Sequence, residues 1–215
     1  MFRKLTSAAD NMTIAPGMVM ISLSAIALGA AFGGYLPLIA LWMETLEVSF
    51  QQIGIVSGTS ALGIICSAYF APQLAQKYGY VVTINIGLVL AAVMTVLFRY
   101  TENYAAWLAI RFVSGLGLGL HWVLTEAWLA NIVSDQGRTR VMAIYATAIS
   151  VGFAAGPAII WLFGFSTPTP FYLIALFLLI AAWPIYRLRR HEPKAEFSSG
   201  GSPLLLIRKA PTVAS

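Results

Sequence analysis

Six long stretches of the chain are nearly free of charge, at roughly 17–43, 50–72, 80–98, 105–133, 141–165 and 168–186. Each reaches the ~20 residues that an α-helix needs to cross about 30 Å of hydrocarbon, the third and sixth only just. Backbone polar groups in lipid must be satisfied within the segment, and lipid-exposed sheet edges are not permitted. The pattern therefore predicts an all-α polytopic membrane protein. A six-transmembrane-helix bundle is expected over 17–190, after an N-terminal segment at 1–16 and before a loop or tail at 191–215. The connectors at 44–49 and 166–168 are short, which predicts that consecutive helices pack as antiparallel neighbours. The first apolar run is longer than the about 7–15 residues of a signal-peptide core, so it reads as a retained helix.

Composition agrees. Hydrophobic residues make up 59% of the chain and charged residues 10%, against about 25% charged in a soluble domain. The net charge of +5 does not point to nucleic acid, because the bases flank the apolar spans instead of forming a patch interleaved with aromatics. They act as topology signals. With the N-terminus inside, Arg3, Lys4, Lys77, Arg138, Arg140, Arg187, Arg189, Arg190, Lys194, Arg208 and Lys209 are cytoplasmic, Arg99 alone lies outside, and Arg111 falls within a span. Both termini are therefore expected in the cytoplasm. Trp42, Trp107 and Trp161 fall near outer span ends and Trp128 and Trp183 near inner ends, as expected of headgroup anchors, whereas Trp122 lies deep. The lone Cys66 excludes an internal disulfide and a cysteine metal site. No HExxH or GxSxG pattern is present, and no enzyme, metal or cofactor is expected.

Small residues let helix backbones approach where apolar burial cannot drive association. Gly29 and Gly33, Gly54 and Gly58, and Gly152 and Gly156 are each four apart, and Gly115, Gly117 and Gly119 mark the fourth span. Together they predict a tight bundle. Pro157, after Gly156, is the expected site of a helix bend.

The fourth span carries the chemistry. On a helical wheel Arg111, Ser114, Gly115, His121, Trp122, Thr125 and Glu126 share one broad face, and Phe112, Leu116, Leu120, Val123, Leu124 and Ala127 the other. Ionisable groups at membrane depth face a bundle interior or a wet cavity, and are usually functional. Arg111 reads as a ligand for an anionic group or a tuner of a protonatable site; the alternative is a side chain that snorkels or bonds to carbonyls. His121 reads as a proton carrier or a satisfied core histidine. Glu126 reads as a coupling carboxylate or a latch to Lys77, Arg138 or Arg140.

These residues resemble the N-terminal half of a major facilitator superfamily transporter, within a poorly characterised bacterial subgroup. Arg111-Phe112-x-x-Gly115-x-Gly117-x-Gly119 is similar to the family's fourth-helix motif, whose arginine is implicated in proton coupling. Gly152-x-x-x-Gly156-Pro157 resembles the fifth-helix motif typical of antiporters, with Ile160-Trp161 at its usual trailing glycine pair. Lys77 and Gly79 match the loop motif between helices two and three, where Pro72 and Gln76 replace its glycine and aspartate. The resemblance implies one half of a two-half fold in the cytoplasmic membrane. It also implies a cavity between halves and alternating access for a small solute, with a proton as candidate coupling ion. A second six-helix half is the expected partner, beside the lipid bilayer. The polar stretch 198–201 reads as the start of a central loop, and 204–207 stops where a seventh span would begin. The competing reading is a six-helix protein with a structural or assembly role. Transport expects Arg111 to face water; a structural role expects it sealed by protein.

Overall fold

The computed structural model describes residues 2–132 and 135–193. Its helices are α1 (Phe2–Thr45), α2 (Phe50–Tyr78), α3 (Tyr80–Arg99), α4 (Tyr104–Ile132), α5 (Asp135–Ala155), α6 (Ala158–Phe163) and α7 (Thr169–Arg187), with a 3-10 turn at Arg189–His191. Six segments are long and apolar enough to cross a membrane, α5 and α6 together forming the fifth. There is no strand among the described residues. The protein is thus an all-α, multi-pass membrane protein. The expected central loop at 198–201 and the run at 204–207 lie outside the described residues.

Boundaries shift for identifiable reasons. α1 begins at Phe2, so the helix extends through the segment expected to precede it. α2 passes through Pro72, which removes only one helical hydrogen bond. It stops at Gly79, whose φ of 87° and ψ of 162° lie in a region essentially reserved for glycine. The fifth span breaks at Gly156-Pro157, where the proline bend was expected.

The packing order departs from the expected chain of neighbours. α1 packs mainly on α5 and α7, α4 on α2 and α3, and α3 also on α7. Of the sequential spans only α3 and α4 make a major contact; α1–α2, α2–α3 and α4–α5 touch lightly. Short turns fix the antiparallel direction but not which faces meet. Exchanging the first three spans for the last three maps the main contacts onto themselves. The bundle is therefore a pair of three-helix units, each lending its second helix to the other's first.

Glycines decide these pairings. Gly29 and Gly33 of α1 lie against the α5 backbone at Ile149 and Phe153, and Gly152 of α5 and Gly156 just after it answer against Ile26, Ala30 and Gly34. The equivalent seam sets Gly63 of α2 against Phe112 and Gly115 of α4, and Gly115 and Gly119 against Ser60 and Ser67. Gly87 of α3 meets Gly117 so closely that a Cβ on Gly87 would stand 2.6 Å from the Gly117 carbonyl oxygen. Gly54 and Gly58 do not join in. Nothing lies within 4 Å of a Cβ built on either, and both are exposed. Three tryptophans expected at the lipid interface, Trp42, Trp107 and Trp128, are instead buried in the bundle, while Trp161 and Trp183 are exposed.

The helices divide into a core and a bare face. In their most apolar windows the first and fourth spans are 61% and 56% buried, whereas the second and fifth are only 28% and 22%.

Candidate functional site

The broad polar face expected on α4 splits into two stripes. Arg111, Ser114, His121 and Thr125 are fully buried, and Trp122 and Glu126 lie beside them toward the open side.

Arg111 sits where α4 touches α2 most closely. Gly115, one turn on, brings the two backbones together, so the guanidinium lies across α2. Its Nη2 donates to Ser60 Oγ at 2.7 Å and to the Ser57 carbonyl at 3.2 Å. The guanidinium carbon stands 4.8 Å from the centre of the Tyr35 ring of α1. The Tyr35 hydroxyl neighbours Thr95 and Ser114 as well as Arg111. Arg111 Nε and Nη1 have no hydrogen-bond partner. The guanidinium therefore does not open onto a water-filled cavity here. It is closed in by neutral groups, among them the carbonyl named as the alternative.

His121 lies further along α4, against Ser24 of α1. Its Nε2 is 2.9 Å from Ser24 Oγ, and Ser24 donates to the Ala181 carbonyl at 2.8 Å. A hydroxyl carries one proton, already given to Ala181. His121 Nε2 must therefore hold a hydrogen and donate it to Ser24, which assigns the tautomer. Nδ1 is left buried without a partner, as are Ser114 Oγ and Thr125 Oγ1. A stripe with this many open valences can exchange hydrogen bonds without first breaking strong ones.

The second stripe borders a recess of ≈ 130 Å³. Leu28, Gly29 and Phe32 of α1, Ile64 of α2, Leu118 and Trp122 of α4, and Ile149 and Phe153 of α5 line it. Gly29 of the α1–α5 seam lines this recess, and Ile64 and Leu118 line it beside Gly63 and Gly119 of the α2–α4 seam. At its edge Trp122 Nε1 donates to Glu126 Oε1 at 2.6 Å, and Glu126 is exposed. Phe32 and Phe153, both in its lining, pack on each other with ring centroids 6.0 Å apart.

The loop-motif residues lie apart from both stripes. Lys77 is exposed, 5.0 Å from the Tyr78 ring, and Gly79 forms the α2–α3 turn. A residue missed from sequence, Glu192, reaches this turn from beyond α7 and accepts from Val81 N at 3.0 Å. It supplies a carboxylate to the first turn of α3, where N–H groups lack helical partners. At the opposite end Arg99 stacks over Trp42 at 3.8 Å, and the Tyr100 and Tyr172 hydroxyls bond to each other.

A family model described as Major Facilitator Superfamily matches residues 21–214. The chain belongs to this superfamily. Among curated relatives it is 25% identical over 166 residues to an uncharacterized MFS-type transporter, YfkF, of Bacillus subtilis, covering 77% of this chain and 42% of that protein. It is 27% identical over 166 residues to the human synaptic vesicular amine transporter, covering 75% and 32% respectively. A third relative, the uncharacterized MFS-type transporter YcaD of Salmonella arizonae, is 22% identical over 175 residues, covering 80% and 46%. The chain thus spans less than half the length of these relatives.

Within this Major Facilitator Superfamily chain, the fourth-helix glycines have direct structural duties. Gly115 and Gly119 seat α4 on α2, and Gly117 seats it on α3. Other residues missed from sequence are Tyr35, Ser24 and Ser60, which meet the α4 stripe from α1 and α2, and Thr95 of α3, which neighbours Tyr35. Ser24, Ser60 and Thr95 are small polar residues within mainly apolar spans, and Tyr35 is one aromatic among many, a signal that identifies no partner by itself.

Proposed function

We propose that the chain is one half of a secondary active transporter that moves a small solute by alternating access against a second six-helix half. The observation carrying this reading is the bare face shared by α1, α2, α4 and α5, where an apolar recess adjoins a carboxylate. Such a half, set in the cytoplasmic membrane with both termini in the cytoplasm, presents this face to its partner half. Trp122 and Glu126 then border the solute path. Arg111, Ser114, His121 and Thr125 form an internal polar stripe beside it, with a proton as the coupling ion that suits His121. Residues 17–190 make up the bundle and 191–215 lead into the central loop. Lys77 and Gly79 shape one end of the bundle, and Gly152, Gly156 and Pro157 set the bend of the fifth span.

Sided labelling tests this reading. In a Cys66→Ser background, Trp122→Cys in membranes should react with a water-soluble maleimide, and Ser114→Cys should not. Failure of Trp122→Cys to react from either side would refute a solvated cavity at this face.

The sealed position of Arg111 favours a second reading, a six-helix protein whose arginine serves structure alone. That reading predicts that Arg111→Lys alters only stability, whereas the transport reading predicts loss of uptake with insertion intact.

A further inference from the structure

We propose that the recess beside Trp122 binds an amphipathic organic cation, with Glu126 as its counter-charge. The proposal rests on the reading of this face as part of a transport cavity, and it names the substrate class.

Charge complementarity chooses the occupant. The residues lining the recess are apolar or aromatic and none is charged. Arg111, the cation within the same span as Trp122, is fully buried on the neighbouring stripe with its guanidinium turned onto α2 and Tyr35, so it offers nothing to a ligand on this face. Glu126 is exposed one helical turn from the recess-lining Trp122, and the indole N–H holds one of its oxygens at 2.6 Å. That hydrogen bond aims the carboxylate along the recess edge and leaves its other oxygen and remaining lone pairs for a ligand. Trp122 presents an aromatic surface, and the Phe32–Phe153 pair adds two more rings. Aromatic faces attract cations through the ring quadrupole, and more strongly when water is excluded. An anion would meet a carboxylate and no cation in the lining, and a neutral polar solute would find there only the indole N–H already given to Glu126. A hydrophobic body bearing one positive centre satisfies every group present. The size of the recess suits part of such a body, the remainder lying over the open face.

The test is equilibrium dialysis of radiolabelled tetraphenylphosphonium against the chain purified in a mild detergent. Saturable binding is expected. Glu126→Gln, which keeps the Trp122 partner and the side-chain shape, should weaken it about tenfold. Ile64→Trp, which narrows the recess from α2, should also weaken it. Tetraphenylborate, of the same shape and opposite charge, should not compete. Circular dichroism checks that each variant keeps its helical content. Absence of saturable binding, equal binding by Glu126→Gln, or equal competition by tetraphenylborate would overturn the proposal. Binding in detergent needs neither a gradient nor a second half. Failed binding with Trp122→Cys still labelled removes the cation and leaves the transport cavity. Charge-selective binding without labelling in membranes does the reverse.

Discussion

The hydrogen-bond chain from His121 through Ser24 to the Ala181 carbonyl makes a quantitative prediction about which partner can be removed cheaply. In Ser24→Ala the His121 Nε2–H is left buried without an acceptor. An orphaned buried donor costs about 1–3 kcal/mol, and interhelical hydrogen bonds in membranes average about 0.6 and reach about 1.7 kcal/mol. We therefore expect a loss of about 1–2 kcal/mol. In His121→Leu, Ser24 keeps its Ala181 acceptor, and the unpartnered Nδ1 disappears with the ring. That change should be within about 0.5 kcal/mol of neutral, because nothing buried is orphaned. In the double variant the Ala181 carbonyl, inside α7, retains its helical bond, so Ser24→Ala should now cost little. The coupling energy of the cycle should therefore be about 1–2 kcal/mol. Unfolding by sodium dodecyl sulfate in mixed micelles, followed by far-ultraviolet ellipticity, measures all four proteins. Equal costs of Ser24→Ala in the two histidine backgrounds would refute the assigned donor direction and the tautomer with it.

Other perturbations separate packing from open surface. Gly87→Ala, whose Cβ would stand 2.6 Å from the Gly117 oxygen, should destabilise the same unfolding transition by about 1–3 kcal/mol. Gly58→Ala, which meets nothing, should leave it unchanged or raise it by up to about 1 kcal/mol through helix propensity. Gly79→Ala should cost about 1–3 kcal/mol from its backbone angles alone, before the added methyl meets the Glu192 carboxylate 2.5 Å away. Glu192→Gln should lose about 0.5–1 kcal/mol and increase amide exchange at the start of α3, measured by hydrogen–deuterium exchange.

The spans were legible because lipid enforces a long run of apolar residues, and the break at Gly156-Pro157 was legible because proline lacks a donor. Neighbour relations were not. Turn length constrains direction, whereas the pairing of α1 with α5 and α2 with α4 depends on which glycine stripe meets which. The spacing of Gly54 and Gly58 looks the same as that of Gly29 and Gly33, yet only the latter face a helix. The α4 stripe was legible as a set, but its division was not. The wheel placed Trp122 and Glu126 with Arg111 and His121, and only the positions of α1 and α2 show that one group is sealed while the other borders the recess. Glu192 was invisible because its partner is a backbone N–H far away in sequence.

The two sides of Arg111 differ in how readily they can part, and this sets the route by which water could reach it. On one side α2 is locked to α4 by backbone contacts at Gly63, Gly115 and Gly119, and the guanidinium bonds to Ser57 and Ser60 of that helix. Separating α2 from α4 would open a close-packed seam and strip the cation of its partners together, which a low-dielectric interior penalises heavily. On the other side stands Tyr35 of α1, a helix that touches α4 only lightly. Its contribution to Arg111 is the ring face, and the hydroxyl has Thr95 and Ser114 nearby as alternative neighbours. α1 is held instead by α5 and α7, so it can shift only with them. An opening that keeps the arginine on its α2 partners therefore moves α1, α5 and α7 away as one body, parts α7 from α3 as well, and leaves α2, α3 and α4 holding the arginine. At the α4 stripe, among the described residues, this motion parts Tyr35 from Arg111 and Ser24 from His121. A disulfide joining α1 to α4 near Tyr35 should therefore block solvent access to the guanidinium, and one joining α2 to α4 near Ser60 should not.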